Sequence, residues 1–416
     1  MRLLNVHTLN LEEFLSEKGR PEYVILSHRW GNDEVSLKEW RKGLKTSGQG
    51  YEKIMGCCDF IKARPNWPPW YERAAVCVAY LSDVVGPWPS DQTEFLEQTL
   101  ASLPDSAWFS RGWTLQELIA PSQMAFCTAE WLVLGWKADR QRGSWYDSLD
   151  TDSSRFITES LSEITGIDMQ VLQNLFNWKW YRSIAQTMCW ASRRQTTRPE
   201  DLAYSLLGLF SVNMPLLYGE GGSKAFVRLQ LEIIRKSTDE SNFAWNRECY
   251  LLPTYLRWFG LLAPSPEWFK DAGNIIFLGK EGPIAQVNLE LCEPLTDRRF
   301  LAGRPTYLMT NKGIEFRAPA WLIRSNGVNV YTVWLACARP SSDERKQTGM
   351  MQTQREWSKG TSQCFVVLEA SNEDDVNDRV RRTRSPYNFA LPWTEIPLES
   401  WQDVGEKWFE IDQFGL

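Results

Sequence analysis

Three short apolar runs, each closing on polar residues, mark the first third of the chain. Tyr23-Val-Ile-Leu leads into Ser27-His28-Arg29-Trp30-Gly31, Ala75-Val-Cys-Val-Ala-Tyr-Leu leads into Ser82-Asp83, and Gln123-Met-Ala-Phe-Cys precedes Thr128. Runs this short and this uniformly apolar read as strands buried on both faces. Between the first two, Gly50 to Ala63 sets Ile54, Cys57, Cys58 and Ile61 at steps of three and four, the spacing of one helix face. A helix over Trp108 to Pro121 separates the second run from the third. Strand and helix in alternation predict an α/β fold with a parallel sheet and right-handed crossovers, in which Tyr23 to Leu26 and Ala75 to Leu81 lie side by side. Asn10 to Ser16 reads as a short helix, and Trp136 to Arg155 as a polar loop.

The texture then changes twice. Helical patterns dominate as far as Trp245. Thr197-Arg-Pro-Glu has the form of a capping box ahead of Leu202, Ala203, Leu206, Leu207 and Phe210. Gly219-Glu-Gly-Gly-Ser-Lys lacks the spacing of a phosphate-binding loop, and Ser223 is better read as the N-cap of a helix carrying Phe226, Leu229, Ile233 and Ile234. Beyond Trp245 the pattern is β: Ile275 to Leu278, Gly313 to Arg317, Val328 to Leu335 and Phe365 to Glu369, with Asn326-Gly327 as a tight turn. Ser341 to Gly360 and Ser371 to Ser385 read as polar, charged loops. The expected organisation is an α/β domain over 1–140, a helical extension over 141–245 and a β-rich domain over 246–416.

Composition narrows the function. A net charge of -6 leaves no basic face for phosphate contacts, which argues against nucleic acid as a partner. Nine scattered cysteines without a Cys-x-x-Cys pair read as reduced thiols, and two histidines leave almost nothing for a zinc site, so no metal is expected. No run approaches the ~20 apolar residues of a membrane span. The start of the chain has no signal-peptide core, so the expected location is cytoplasmic. The 22 tryptophans are the unusual feature, and they point to large aromatic cores or sticky grooves.

The candidate chemistry centres on Glu117, the carboxylate inside Trp108-Phe-Ser-Arg-Gly-Trp-Thr-Leu-Gln-Glu-Leu-Ile-Ala-Pro. On a helical wheel Phe109, Trp113, Leu115, Leu118 and Ile119 spread around most of the circumference, which predicts a largely buried helix. A buried carboxylate is paired, protonated or held ready for chemistry. The first alternative is an ion pair with Arg111. The second gains from the polar strand ends, Ser27 and His28 with Trp30, and Ser82 with Asp83, because ligands of α/β sheets bind at the carboxyl ends of the strands. Ser27 and His28 read equally well as residues that cap a turn.

Four blocks carry a family resemblance: Tyr23 to Gly31, Ala79 to Val84, Arg111 to Leu118, and Asp201 to Phe210. In order and spacing they resemble fungal heterokaryon-incompatibility (HET) domain proteins over roughly Met1 to Trp245. That resemblance implies a role in non-self recognition after hyphal fusion and in programmed cell death. The HET domain in turn resembles the TIR fold, a flavodoxin-like α/β module whose enzymatic members cleave NAD+ with one glutamate. The matching positions here are Trp113 and Glu117, with Ser27 and His28 at the end of the first strand. The chain departs from the pattern at Arg64-Pro-Asn-Trp-Pro-Pro-Trp, where HET proteins carry a further strand and helix, roughly 30 residues. In a 2-1-3-4-5 sheet the missing strand is the edge strand, which leaves Tyr23 to Leu26 as a new edge.

The resemblance therefore implies two functions of different kinds. One is an NAD+ glycohydrolase with Glu117 as its catalytic carboxylate, with Ser27, His28, Trp30, Trp113, Ser82 and Asp83 shaping the pocket, and with NAD+ as substrate and no further cofactor. The other is a signalling module without enzymatic activity that works by self-association or through a partner signalling protein. A degenerate family member with an incomplete α/β domain is the third alternative.

Overall fold

The computed structural model describes residues 1–16, 19, 21–64, 76–86, 102–138, 151–173, 182–245, 261–277, 307–309, 313–325, 328–339, 362–371, 375–376, 379–390 and 402–412. The chain divides into two compact units, Met1–Trp178 and Lys179–Leu416.

The first unit is built on a four-stranded sheet. β1 (Arg2–Leu4) and β2 (Leu11–Glu13) form a separate antiparallel hairpin, with Leu3 opposite Glu12. The helix expected over Asn10 to Ser16 is therefore a strand. Asn5 decides the matter locally: its side-chain oxygen accepts the amides of His7 and Thr8, and this turn returns the chain alongside itself. β3 (Val24–His28) follows, then α1 (Leu37–Lys42), α2 (Gln49–Lys62) and β4 (Val76–Tyr80). α1 is closed at its start by a reciprocal Ser36 and Glu39 capping box. α3 (Ala107–Ser110), α4 (Thr114–Ile119), β5 (Gln123–Cys127) and β6 (Val133–Ala138) complete the layer.

The strand order is β3-β4-β5-β6. β3 and β4 are parallel neighbours with Ser27 beside Ala79 and His28 beside Tyr80, and β4 and β5 are parallel with Ala79 beside Phe126. This is the adjacency that the apolar runs predict. β6 is antiparallel to β5, because residues 128–132 make a tight connection too short for a crossover. Thr128 accepts the amides of Glu130 and Leu132 through its hydroxyl, and Trp131 takes a left-handed φ of 64°. β6 occupies the start of what reads as a polar loop in the sequence. The rest of that stretch to residue 150 lies outside the described residues, and α5 (Thr151–Thr165) begins before its expected end and packs on β6. α6 (Met169–Leu172) closes the unit.

Both faces of the sheet are covered, and strand alternation assigns the residues. Val76, Val78, Ala125 and Cys127 pack with Phe60 of α2, joined by Val24, Ile61, Trp131, Val133 and Trp136. Trp131 stacks on Tyr80 at 4.6 Å, and it also lies so close to Gly56 of α2 that any Cβ there would overlap its indole. The opposite face carries Ser27 and Phe126 against Trp108. β4 and β5 are almost wholly buried, whereas β3 is half covered and Ile25 is 40% exposed. Among the described residues β3 is the open edge of the sheet, and the segment 65–75 that precedes β4 lies outside them.

The second unit contains α7 (Ile184–Ala191), α8 (Asp201–Tyr204), α9 (Leu207–Phe210) and α10 (Gly222–Ile234). The capping box expected at Thr197 is not the start of a helix. Glu200 is the N-cap of α8, and its carboxylate accepts the amides of Gly219 at 2.9 Å and Gly221 at 3.0 Å. α10 starts one residue after Gly221, which displaces Ser223 as the cap because Gly221 adopts a φ of 89°. The glycine-rich turn thus holds an anion of the chain itself.

β7 (Ile276–Phe277), β8 (Leu308–Met309), β9 (Gly313–Ser325), β10 (Val328–Arg339), β11 (Ser362–Ser371), β12 (Asp375–Val376), β13 (Arg379–Ala390) and β14 (Gln402–Asp412) share one sheet. β9 and β10 pair antiparallel across residues 326 and 327, which are themselves outside the described set. The loop expected over Ser371 to Ser385 gives way to β13, because pairing with β11 on one side and β14 on the other outweighs a polar, arginine-rich sequence. Residues 341–360 lie outside the described set. Among the described residues no helix is long and apolar enough to cross a membrane.

Candidate functional site

The site lies at the carboxyl end of β3 in the first unit. There the expected single helix over Trp108 to Pro121 is two short ones. Arg111 is extended, with φ of -78° and ψ of 135°, and separates α3 from α4. The break redirects the chain so that Glu117, one turn into α4, faces the sheet edge without being sealed inside. Leu115, Leu118 and Ile119 are buried, while Glu117 and Trp113 are half-buried.

Ser27 comes to Glu117 across 90 residues of sequence. Its hydroxyl donates to the Oε2 of Glu117 at 2.5 Å, and the indole Nε1 of Trp108 donates to the same hydroxyl at 2.9 Å. Ser27 and Trp108 are each 1% exposed. The alternative that Glu117 pairs with Arg111 is not what the site contains. Arg111 donates through Nη1 to the carbonyl oxygen of His28 at 2.7 Å, and among the described residues Glu117 makes no ion pair. Its charge is felt by Cys77 on the same face of β4, whose thiol burial pushes up to about 12 with Glu117 adding to the rise.

His28 does not join Ser27. Successive residues of a strand point to opposite faces, and His28 faces α2. Its Nε2 lies 3.6 Å from the Oε2 of Glu34, while Lys53 of α2 donates to the Oε1 of Glu34 at 2.5 Å and the amide of Gly31 donates to the same oxygen at 2.8 Å. Burial first and the charge of Lys53 second bring the imidazole down to about 4, with Glu34 opposing and Arg111 adding a smaller push. His28 is therefore neutral near pH 7 and the working cation is Lys53. Burial raises the carboxyl of Glu34, but the bonds from Lys53 and Gly31 outweigh it and leave the group below the ordinary range.

The other expected residues are dispersed. Trp30 is 64% exposed and Ser82 is exposed. Asp83 holds the start of α3: its carboxylate accepts the Ser106 hydroxyl and the Ala107 amide, each at 2.7 Å. Trp113 precedes α4, and its carbonyl accepts the Glu117 amide at 3.4 Å. Two residues escaped the sequence reading. Lys53 stands at the step Gly50, Lys53, Cys57 on the buried face of α2, and a lysine on an apolar face is a legible signal. Trp108 carries no signal of its own, since nothing in sequence tells which of many tryptophans spends its N–H on a serine.

The arrangement is that of an α/β protein with a carboxylate held at the end of a parallel strand by a serine, which a tryptophan in turn holds. No family model matches the chain, and no solved structure matches it. The chain is 34% identical over 247 residues to the vegetative incompatibility protein HET-E-1 of Podospora anserina, a match that takes in 51% of this chain and 16% of that protein. It therefore spans about a sixth of the length of the curated relative it matches.

Proposed function

We propose that the protein acts in fungal vegetative incompatibility, and that its first unit is a HET-type, TIR-like α/β module cleaving NAD+ at the Glu117 site. The observation that carries this reading is the Glu117 carboxylate at the carboxyl end of β3, fixed by Ser27 at 2.5 Å and free of any ion pair among the described residues. Similarity to an incompatibility protein supports the biological half. In the reaction the bond between ribose C1′ and the nicotinamide nitrogen breaks and the base leaves with the bonding pair. Water then adds to C1′ and loses a proton, giving ADP-ribose. Glu117 supplies negative charge where the oxocarbenium-like cation develops, and this reading assigns Trp113, the residue matching the tryptophan of the TIR-type motif, to stacking on a nicotinamide or adenine ring. The β-rich region from 246 to 416 is assigned to recognition by this reading, and the site of action is the cytoplasm.

Expression of the full chain in a fungal host tests the proposal. The expected result is toxicity that residues 1 to 245 reproduce and Glu117→Gln abolishes. Toxicity arising from residues 246 to 416 alone overturns it.

A second reading rests on β3, the open edge of the sheet among the described residues. Between the β1–β2 hairpin, β3 and α2 lies a groove of about 500 Å³ lined by Leu3, Val6, Val24, Leu26, Ile54 and Ile61 among others. An apolar strand edge beside such a groove suits pairing with a second copy of the chain. In this reading signalling proceeds by assembly, and Ile25→Lys abolishes toxicity while Glu117→Gln does not.

A further inference from the structure

We infer that Trp108 is a positioning residue: it fixes the direction of the Ser27 hydroxyl so that Glu117 is held at one oxygen and left open at the other. An indole N–H only donates, and a serine hydroxyl has a single proton to give. With Trp108 Nε1 donating to Ser27 at 2.9 Å, the oxygen of Ser27 is the acceptor there, and its proton goes to Glu117 Oε2 at 2.5 Å. Ser27 has no other side-chain acceptor among the described residues, so the order of the chain runs one way, from tryptophan through serine to carboxylate.

Trp108 is itself held from three sides. Its ring meets Phe109 edge-on at 5.1 Å and Phe126 edge-on at 5.9 Å, and its carbonyl accepts the Thr114 hydroxyl at 2.6 Å. The start of α3 is pinned by Asp83 through Ser106 and Ala107. Asp83, singled out in the sequence as a residue of the binding pocket, thus acts on the site through the helix that carries Trp108. The Oε1 of Glu117 has no protein partner among the described residues, which leaves it for a substrate.

This inference rests on the reading of Glu117 as the reactive carboxylate, and its test separates the two. Trp108→Phe removes the N–H together with the five-membered half of a ring that is 1% exposed, so packing is lost along with the hydrogen bond. In an 15N-tryptophan spectrum that substitution identifies the Trp108 indole resonance. Ser27→Ala is expected to move this resonance, and so is Glu117→Gln, although Glu117 does not touch Trp108, because hydrogen bonds in a chain polarise one another. In NAD+ turnover Trp108→Phe is expected to lower kcat about tenfold, the scale of one lost hydrogen bond, with KM unchanged, and Ser27→Ala, which leaves the indole packing in place, is expected to lower kcat to a similar extent. A Trp108 resonance indifferent to Ser27→Ala overturns the inference, as does an unchanged kcat in Trp108→Phe. If the wild type turns over no NAD+, the reading of Glu117 fails while the spectra still decide the relay. Ser27→Ala, which leaves the indole in place, carries the kinetic test should Trp108→Phe not fold.

Discussion

His28 is one of only two histidines in the chain, which makes its titration directly observable. Its imidazole falls from the ordinary 6.5 to about 4 in the folded protein, through burial first and the nearby charge of Lys53 second, with Glu34 opposing and Arg111 reinforcing. Because the folded value is the lower one, the unfolded chain takes up the proton first. The stability associated with neutral His28 is therefore complete above pH 6.5 and drains away as the pH falls toward 4. Linkage sets the loss at about 2 kcal/mol by pH 5 and about 3 kcal/mol by pH 4. The assay is a pair of measurements. Histidine Cε1–H spectra of 13C-labelled protein should show the His28 signal, assigned by its disappearance in His28→Gln, stationary from pH 8 to 5.5. Urea unfolding of wild type and His28→Gln should show the wild type losing about 2 kcal/mol more than the variant between pH 7.5 and 5. Carboxylates common to both proteins cancel in that difference. A His28 signal that titrates near 6.5, or parallel stability curves, would refute the placement of His28 against α2 beside Lys53 and Glu34.

Three further expectations follow from the packing. Gly56→Ala places a methyl where the Trp131 indole stands, and since that ring is stacked on Tyr80 at 4.6 Å it has little room to retreat; a melt should show a loss of about 1–3 kcal/mol. Glu200→Ala frees the amides of Gly219 and Gly221, so the stretch ending in the exposed Leu216, Leu217 and Tyr218 should be cut faster in limited proteolysis, with no change at sites in the first unit. Ile25→Lys puts a charge on the open edge of β3; light scattering should show any concentration-dependent dimer of the wild type lost in the variant, and a dimer that survives would place the contact elsewhere.

The sequence discloses the sheet better than the site. Val-Ile-Leu, Val-Cys-Val-Ala and Met-Ala-Phe-Cys are apolar on both alternations, and strands of that kind have few places to go except side by side under helices, as β3, β4 and β5 do. β6 escaped notice because Lys137, fully buried with its Nζ on the carbonyl of Pro121, makes a core strand look polar. The helical wheel treats Trp108 to Pro121 as continuous and cannot register the turn at Arg111, whose guanidinium is drawn to the His28 carbonyl. Glu117 stands out in sequence as a carboxylate in apolar company. Its partner does not, because a serine 90 residues away is chosen by the register of β3 against β4, which is a property of the assembled sheet. The separation of Ser27 from His28 was readable from strand alternation alone.

The central claim is that Glu117 carries chemistry rather than structure, and one side-by-side measurement reaches it. Purified wild-type protein and Glu117→Gln are assayed for NAD+ consumption and for thermal unfolding in the same buffer. The glutamine keeps an acceptor oxygen for Ser27 and removes the charge. The account predicts a melting temperature within a few degrees of wild type together with a loss of NAD+ turnover of two to three orders of magnitude, on the order of 3–4 kcal/mol of transition-state stabilisation. Turnover that persists unchanged in a well-folded Glu117→Gln protein would contradict it.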